Sequence, residues 1–500
     1  MQTELVDYGP LPGSVNNRYR ASSQRSVTGR SGRGQILPTL LLVGLGTLVI
    51  PFGLVSTASS LARLLFPVYA LLVAAYAFSK YRSCYLSVCI GFLVFCPFLR
   101  RVADFHAGFV QTNPILLAPY VALLPCLPSL VRLLLNPRSP GRSAFILMTA
   151  VFCYSCALAV IGGQLIQAFY EPLGWVLPIA ACAFVIEHRD MQSEIRISLR
   201  WALILIMPIV TIYGIEQFLS PNDLDRMWMI NVRNASFGKP NAFEVRVFST
   251  MNSPGVAAVF SASAMLFLMG EGAIASLMAL IAVPLLALTL LRAAWFGCGM
   301  GLLIAFLLMP MVRRVRLLAM IAAAVLGISL FMSSPAVSPE LQNYLLLRWN
   351  SLFELKSDSS AADRLTTYAL SMDRMANAPW GEGYGANASA ATTSQKREEL
   401  SLDSGFLEAL ITYGIVGGLL YLLALFYLVF VGFKACLRNR DRSVMWFASL
   451  ASLIVCLPFG SHQTGESSFV GWISLGLLLA STMPGAGSTH DAAPDGWSSQ

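Results

Sequence analysis

The sequence is short of charge. Of its 500 residues only 12% are Asp, Glu, Lys or Arg, while 56% are hydrophobic and the mean hydropathy is +0.66. A soluble domain carries about 25% charged residues, so a soluble globular enzyme is excluded, and chain length says nothing about domain number. Histidine is scarce, with four in the chain. No His/Asp/Glu set has metal-ligand spacing, so neither a metal nor any other cofactor is expected. The ten cysteines (Cys84, Cys89, Cys96, Cys126, Cys153, Cys156, Cys182, Cys298, Cys436 and Cys456) lie almost entirely in apolar runs, where a thiol acts as a small hydrophobe. Cys153-Tyr154-Ser155-Cys156 has CxxC spacing but sits mid-run, without the context of a redox fold. No repeat, coiled-coil pattern or aromatic-basic patch is present, so nucleic acid is not an expected partner.

What fills the chain is hydrophobic runs. About 20 apolar residues cross about 30 Å of hydrocarbon. Runs of that order fall at 36–55, 61–79, 83–99, 114–135, 143–163, 172–187, 198–219, 254–270, 273–291, 293–310, 315–332, 405–433, 443–459 and 468–483. The expected fold is an all-α polytopic membrane protein, a bundle of about 14 transmembrane helices with two larger outer loops, 220–253 and 333–404. The segments are a disordered basic tail (1–35), N-terminal spans (36–219), the first loop, central spans (254–332), the second loop, C-terminal spans (405–483) and a tail (484–500).

The net charge of +8 reads as positive-inside bias. With the N-terminus inside, Lys80 and Arg82, Arg138 and Arg142, Arg189, Arg196 and Arg200, Arg313, Arg314 and Arg316, and Lys434, Arg438, Arg440 and Arg442 all fall on the inner side, while loops 56–60 and 164–171 carry no Lys or Arg. Both termini are then cytoplasmic. Arg100, Arg101 and Arg292 break the bias at the outer face, which marks them for function.

Four outer patches could carry chemistry. Arg100-Arg101-Val102-Ala103-Asp104-Phe105-His106 is either a snorkelling anchor with an Arg–Asp pair or a site for an anionic headgroup. Residues 213–254 run from Glu216 and Gln217 through Asp223, Asp225 and Trp228 to Arg246. Val245–Phe248 could form a short strand. Ser253-Pro254 suits the cap and first position of a helix, and Arg246 beside a helix N-terminus makes a phosphate cradle. Leu291-Arg292-Ala293-Ala294-Trp295 is a tight turn, again an anchor or an anion site. The 333–404 loop holds Arg364 and Pro379-Trp380-Gly381-Glu382-Gly383-Tyr384-Gly385, whose glycines allow sharp turning and close ligand approach. Gly297, Gly299 and Gly301 follow no strand and read as helix-packing contacts.

Together the stretches 98–120, 213–229, 236–258, 288–297, 379–385 and 402–418 resemble the O-antigen ligase/polymerase superfamily, and within it the Gram-negative exopolysaccharide repeat-unit polymerases. The resemblance implies an inner-membrane glycosyltransferase with its active site on the periplasmic face. The donor would be an oligosaccharide repeat unit on undecaprenyl pyrophosphate. An acceptor sugar hydroxyl attacks its anomeric carbon. Partners would be that lipid-linked oligosaccharide, the acceptor glycan, membrane lipid and a chain-length regulator protein. The leaving group is good, so cations on the pyrophosphate are the main catalytic need: Arg292 and Arg246 first, then Arg364, with Arg100 and Arg101 near. Glu216, Gln217, Trp228, Tyr384 and Glu408 are the expected substrate contacts, with Glu216 and Glu408 as reserve carboxylates. Ligases of the superfamily commonly carry a His before the helix that here starts at Gly405; this chain has Asp403. Asp403 is then the base or a helix cap, the departure favours a polymerase over a ligase, and His462 is a further base candidate. A lipid-linked sugar transporter is the alternative of another class. It would carry ionisable residues mid-span, and here charge gathers at the outer rim.

Overall fold

The computed structural model describes residues 32–232, 235–333, 359–385, 404–440, 443–460, 462 and 465–483. Its apolar helices follow the hydrophobic runs, because in hydrocarbon a helix satisfies its own backbone polar groups, while two more polar helices, Asp223–Val232 and Ser359–Asn377, lie in stretches expected to be loops. In chain order they are α1 (Ile36–Thr57), α2 (Ser59–Lys80), α3 (Arg82–Ala107), α4 (Pro114–Leu135), α5 (Arg142–Ile161), α6 (Leu165–Glu187), α7 (Arg189–Leu219), α8 (Asp223–Val232), α9 (Pro254–Met269), α10 (Ala273–Leu288), α11 (Arg292–Leu308), α12 (Met311–Met332), α13 (Ser359–Asn377), α14 (Gly405–Arg438), α15 (Ser443–Cys456) and α16 (Gly465–Ala480). Among the described residues, eight of these, α1–α7 and α14, are long and apolar enough to cross a membrane, and α9, α10, α11, α15 and α16 are shorter apolar helices.

The bundle has a dry centre and an apolar rim. α3, α9, α15 and α16 are buried along nearly their whole length. Around them α16 packs on α6 and α15, α11 on α15, α9 on α10, and α14 on α5. α1 and α2 lie outside, exposing Leu37, Leu61, Leu64 and Leu72, as a lipid-facing helix does. Gly297 and Gly301 let α11 approach α15 closely. A Cβ at Gly297 would lie 2.6 Å from the Ser452 carbonyl and one at Gly301 2.9 Å from that of Ala448, while Gly299 meets nothing within 4 Å. The small-xxx-small contact expected of all three glycines is made by Gly297 and Gly301 and not by Gly299.

Two boundaries, each for a tertiary reason, and one expected strand differ from the sequence reading. α3 does not stop at 99 but carries Arg100, Arg101 and Asp104 inside it, because all three find buried partners. α6 begins at Leu165, so 164–171 is not an outer loop; Glu171 is engaged within the fold by the N–H of Gly385 at 2.8 Å. Val245–Phe248 forms no strand, only an isolated antiparallel bridge between Gly238 and Val245. Ser253 does cap α9, accepting the N–H of Val256, with Pro254 following.

Candidate functional site

One end of the bundle gathers the candidate residues, and a buried polar network holds it. Arg101 is 1% exposed and pairs with Asp225, itself fully buried. The other oxygen of Asp225 accepts from Tyr213 Oη and Gln217 Nε2, both at 2.9 Å. Gln217 Oε1 accepts the N–H groups of Phe248 and Ser249 at 2.9 Å each, and Arg101 donates to the Ser249 carbonyl. Ser249 sits in the left-handed region, with φ +51°, a strained conformation for a residue with a Cβ. Clamped from both faces, the loop presents Arg246 at its exposed side.

The neighbouring network secures the next loop. Asp104 accepts from Arg63 and from Asn113 Nδ2, both at 2.9 Å, and faces Arg100. Arg100 donates to the carbonyls of Val110 and Gln111 at 3.0 and 2.9 Å and lies over the Trp228 ring at 4.5 Å. Arg100 and Arg101 therefore act from within the fold, and Gln217 and Trp228 are buried beside them. The sequence reading offered the Arg–Asp pair that Arg100 and Asp104 form, missed Arg63, and named Asp225 without its partner.

Four chain segments meet at this end. The N–H of Val247 donates to the Leu288 carbonyl at 3.1 Å, joining the Arg246 loop to the end of α10, four residues before Arg292. Arg292 is exposed at the first turn of α11, a helix with no side-chain cap, whose N–H groups and dipole favour an anion. Cys456 Sγ donates to the Ala293 carbonyl at 3.3 Å, and Phe296 packs edge-on against Phe459, which brings the turn after α15 beside Arg292. On that turn, Tyr368 of α13 donates to the Pro458 carbonyl at 3.3 Å. Arg364 stands one helical turn before Tyr368 on α13; its side chain, like Asp403 and the 1–31 and 484–500 tails, lies outside the described residues. His462 follows on the same turn, its Cε1 3.3 Å from where a Cβ of Gly255 would stand, in the first turn of α9. Burial pushes its imidazole down to about 4, so it is neutral at pH 7.

The 379–385 stretch does something else. α14 breaks at Gly414, with φ +77°, and the stretch is laid into the break. The N–H groups of Glu382 and Gly383 donate to the Ile411 and Thr412 carbonyls at 2.9 and 3.1 Å, and the N–H of Ile415 donates to the Pro379 carbonyl at 3.0 Å. A broken helix is tolerated in a membrane only when its freed groups are satisfied this way. The close approach of Gly381 is to the backbone of Gly414, 2.4 Å from a notional Cβ; the expected approach to a ligand is replaced by one to the protein itself. Arg374 forks onto Glu382. Tyr384 is buried, its hydroxyl 3.1 Å from that of Tyr413, and burial pushes its phenol well above the usual range. Ser404, not Asp403, is the N-cap residue of α14, and its hydroxyl makes no capping bond. Glu408 is part-buried in the first turn of α14, and Glu216 is exposed near the end of α7.

Residues 276–422 match the family model described as O-antigen ligase. The chain carries a domain of the O-antigen ligase/polymerase superfamily. The O-antigen ligase match spans Arg292, α13, the 379–385 clasp and the broken first half of α14, and leaves the Arg246 loop outside it. Nothing matches among the curated proteins or the solved structures. With eight described helices long and apolar enough to cross a membrane, the chain is a multi-pass membrane protein.

Proposed function

We propose that the protein is an integral-membrane glycosyltransferase that polymerises undecaprenyl-pyrophosphate-linked oligosaccharide repeat units at the periplasmic face of the inner membrane, with both termini cytoplasmic. The observation that carries this reading is the meeting of the Arg246 loop, the Arg292 turn, α13 and the His462 turn at one end of the bundle. Two exposed guanidiniums and an uncapped helix N-terminus suit a pyrophosphate: Arg stays charged near lipid and forks onto phosphate oxygens.

In the reaction, the acceptor hydroxyl oxygen bonds to the anomeric carbon of the donor as the bond from that carbon to the pyrophosphate oxygen breaks. Arg292 and Arg246 as first choices, and Arg364 as the next choice, take up the negative charge that moves onto the leaving pyrophosphate. The hydroxyl proton passes to a base, for which Asp403 is the first choice and neutral His462 the second. Arg101, Asp225 and Gln217 are positioning residues for the Arg246 loop. The family description favours one second reading, a ligase that transfers glycan to a lipid A-type or protein acceptor.

The test is reconstitution. Purified protein is given undecaprenyl-pyrophosphate-linked repeat units without metal or nucleotide, and products are separated by gel. A ladder spaced by one repeat unit with release of the carrier is expected. Transfer only to an added lipid or protein acceptor means a ligase. No transfer, with movement of the lipid-linked sugar across proteoliposomes, means a transporter.

A further inference from the structure

A second charged site lies at the end of the bundle opposite Arg292, separated from it by the length of α10, about 24 Å at 1.5 Å per residue. There a cavity of about 400 Å³ opens between α7, the α9–α10 turn and the start of α12. Arg196, Arg200, Arg313 and Arg316 line it, against the single carboxylate of Glu271. Glu271 is buried, pairs with Arg196 at 3.1 Å and accepts from Trp446 Nε1 at 3.2 Å, and its carbonyl accepts from Arg200 at 3.4 Å. Among the described lining residues, cations outnumber carboxylates four to one.

Like charges gathered in a concavity repel unless an anion joins them, and arginine is the side chain suited to phosphate at a membrane surface. Apart from Ser276, the rest of the lining is without polar side chains and adaptable. Met309, Leu317 and Met320 form one wall, and Met side chains fit irregular groups. Beside that wall, α12 turns Met311, Val312, Val315 and Leu318 outward, a lipid-facing strip that begins at the arginine level. A Cβ at Gly272 would meet nothing within 4 Å, so the floor is open there.

We propose that this cavity binds the phosphate of an anionic glycerophospholipid, with its glycerol and upper acyl chain against the methionine wall and the α12 strip. The site is separate from the glycosyl-transfer reading and does not depend on it.

The experiment uses the full-length protein in phosphatidylcholine nanodiscs with and without phosphatidylglycerol, with retained lipid counted by native mass spectrometry. The wild type is expected to retain phosphatidylglycerol over phosphatidylcholine. Arg200→Gln combined with Arg316→Gln leaves the Arg196–Glu271 pair in place and should weaken retention by about tenfold or more, since a hydrogen bond to a charged group contributes about 1.5–3 kcal/mol. Unchanged melting of this variant in pure phosphatidylcholine shows that it folds. Equal retention of the two lipids by the wild type, which needs no variant, overturns the proposal, as does undiminished retention in a folded double variant. Displacement of phosphatidylglycerol by millimolar glycerol 3-phosphate supports the phosphate site with a soluble anion as its source. Resistance to glycerol 3-phosphate together with lipid preference supports the membrane source.

Discussion

Gly381→Ala tests whether the 379–385 stretch is a clasp on a broken helix. An added Cβ would lie 2.4 Å from Gly414 N, 2.7 Å from Tyr413 C and 2.9 Å from Thr412 O. All three are backbone atoms, which cannot swing aside. The substitution also forces a Cβ residue to φ +95°, and a left-handed conformation costs about 1–2 kcal/mol. Relieving the clash separates the two segments and puts at risk three hydrogen bonds of 2.9–3.1 Å, each contributing about 1 kcal/mol net. The expected loss is about 4–5 kcal/mol, a large part of the typical 5–15 kcal/mol of a folded domain. Gly414→Ala should behave alike, because its Cβ would meet Trp380 C at 2.4 Å, and the double variant should lose less than the sum of the singles. Gly299→Ala is the control: it sits in a helix with nothing within 4 Å and should be neutral or gain about 0.5–1 kcal/mol. The assay is thermal unfolding in detergent, followed by loss of the monodisperse peak. If Gly381→Ala melts with the wild type while Gly299→Ala behaves as expected, the two segments are not held together as described.

Other outcomes follow from the same structure. Arg101→Met and Asp225→Leu should each cost about 3–5 kcal/mol by leaving a buried charge alone, and the double variant should recover part of that loss; a strictly additive loss in thermal unfolding would contradict the pairing. Arg292→Ala should abolish polymer growth while the protein still reaches the membrane, and Arg292→Lys should be severely impaired if forked contact matters; wild-type chain lengths on a gel from Arg292→Ala would remove it from the site. Asp403→Asn should stop polymerisation if the carboxylate is the base, and normal polymer would end that role. For His462 the folded pKa of about 4 lies below the unfolded value of about 6.5. Between the two, the unfolded chain binds the extra proton, so stability should fall by up to about 3 kcal/mol as pH drops through this window and be level above it. His462→Gln should flatten that slope in pH-dependent melting; an unchanged slope would mean the imidazole is not held neutral.

Hydropathy placed the apolar helices, since each satisfies its own backbone and needs only length and apolarity to be read, but not α8 and α13, which fall in stretches read as loops. Local chemistry gave the Ser253 cap, and spacing gave the packing role of Gly297 and Gly301. The superfamily was legible in short stretches, three of which, 288–297, 379–385 and 402–418, fall within the matched region. Partner choice was not legible. Arg101 meets Asp225 across 124 residues of chain, and nothing near either residue announces the other, so only folding decides that α3 continues through its charges. The glycines of 379–385 permit a close approach to anything; that they approach a second broken backbone depends on Gly414 arriving opposite them. The meeting of Arg246, Arg292, α13 and the His462 turn is likewise tertiary, because it rests on one backbone hydrogen bond and a few side-chain contacts between segments that sequence order keeps apart.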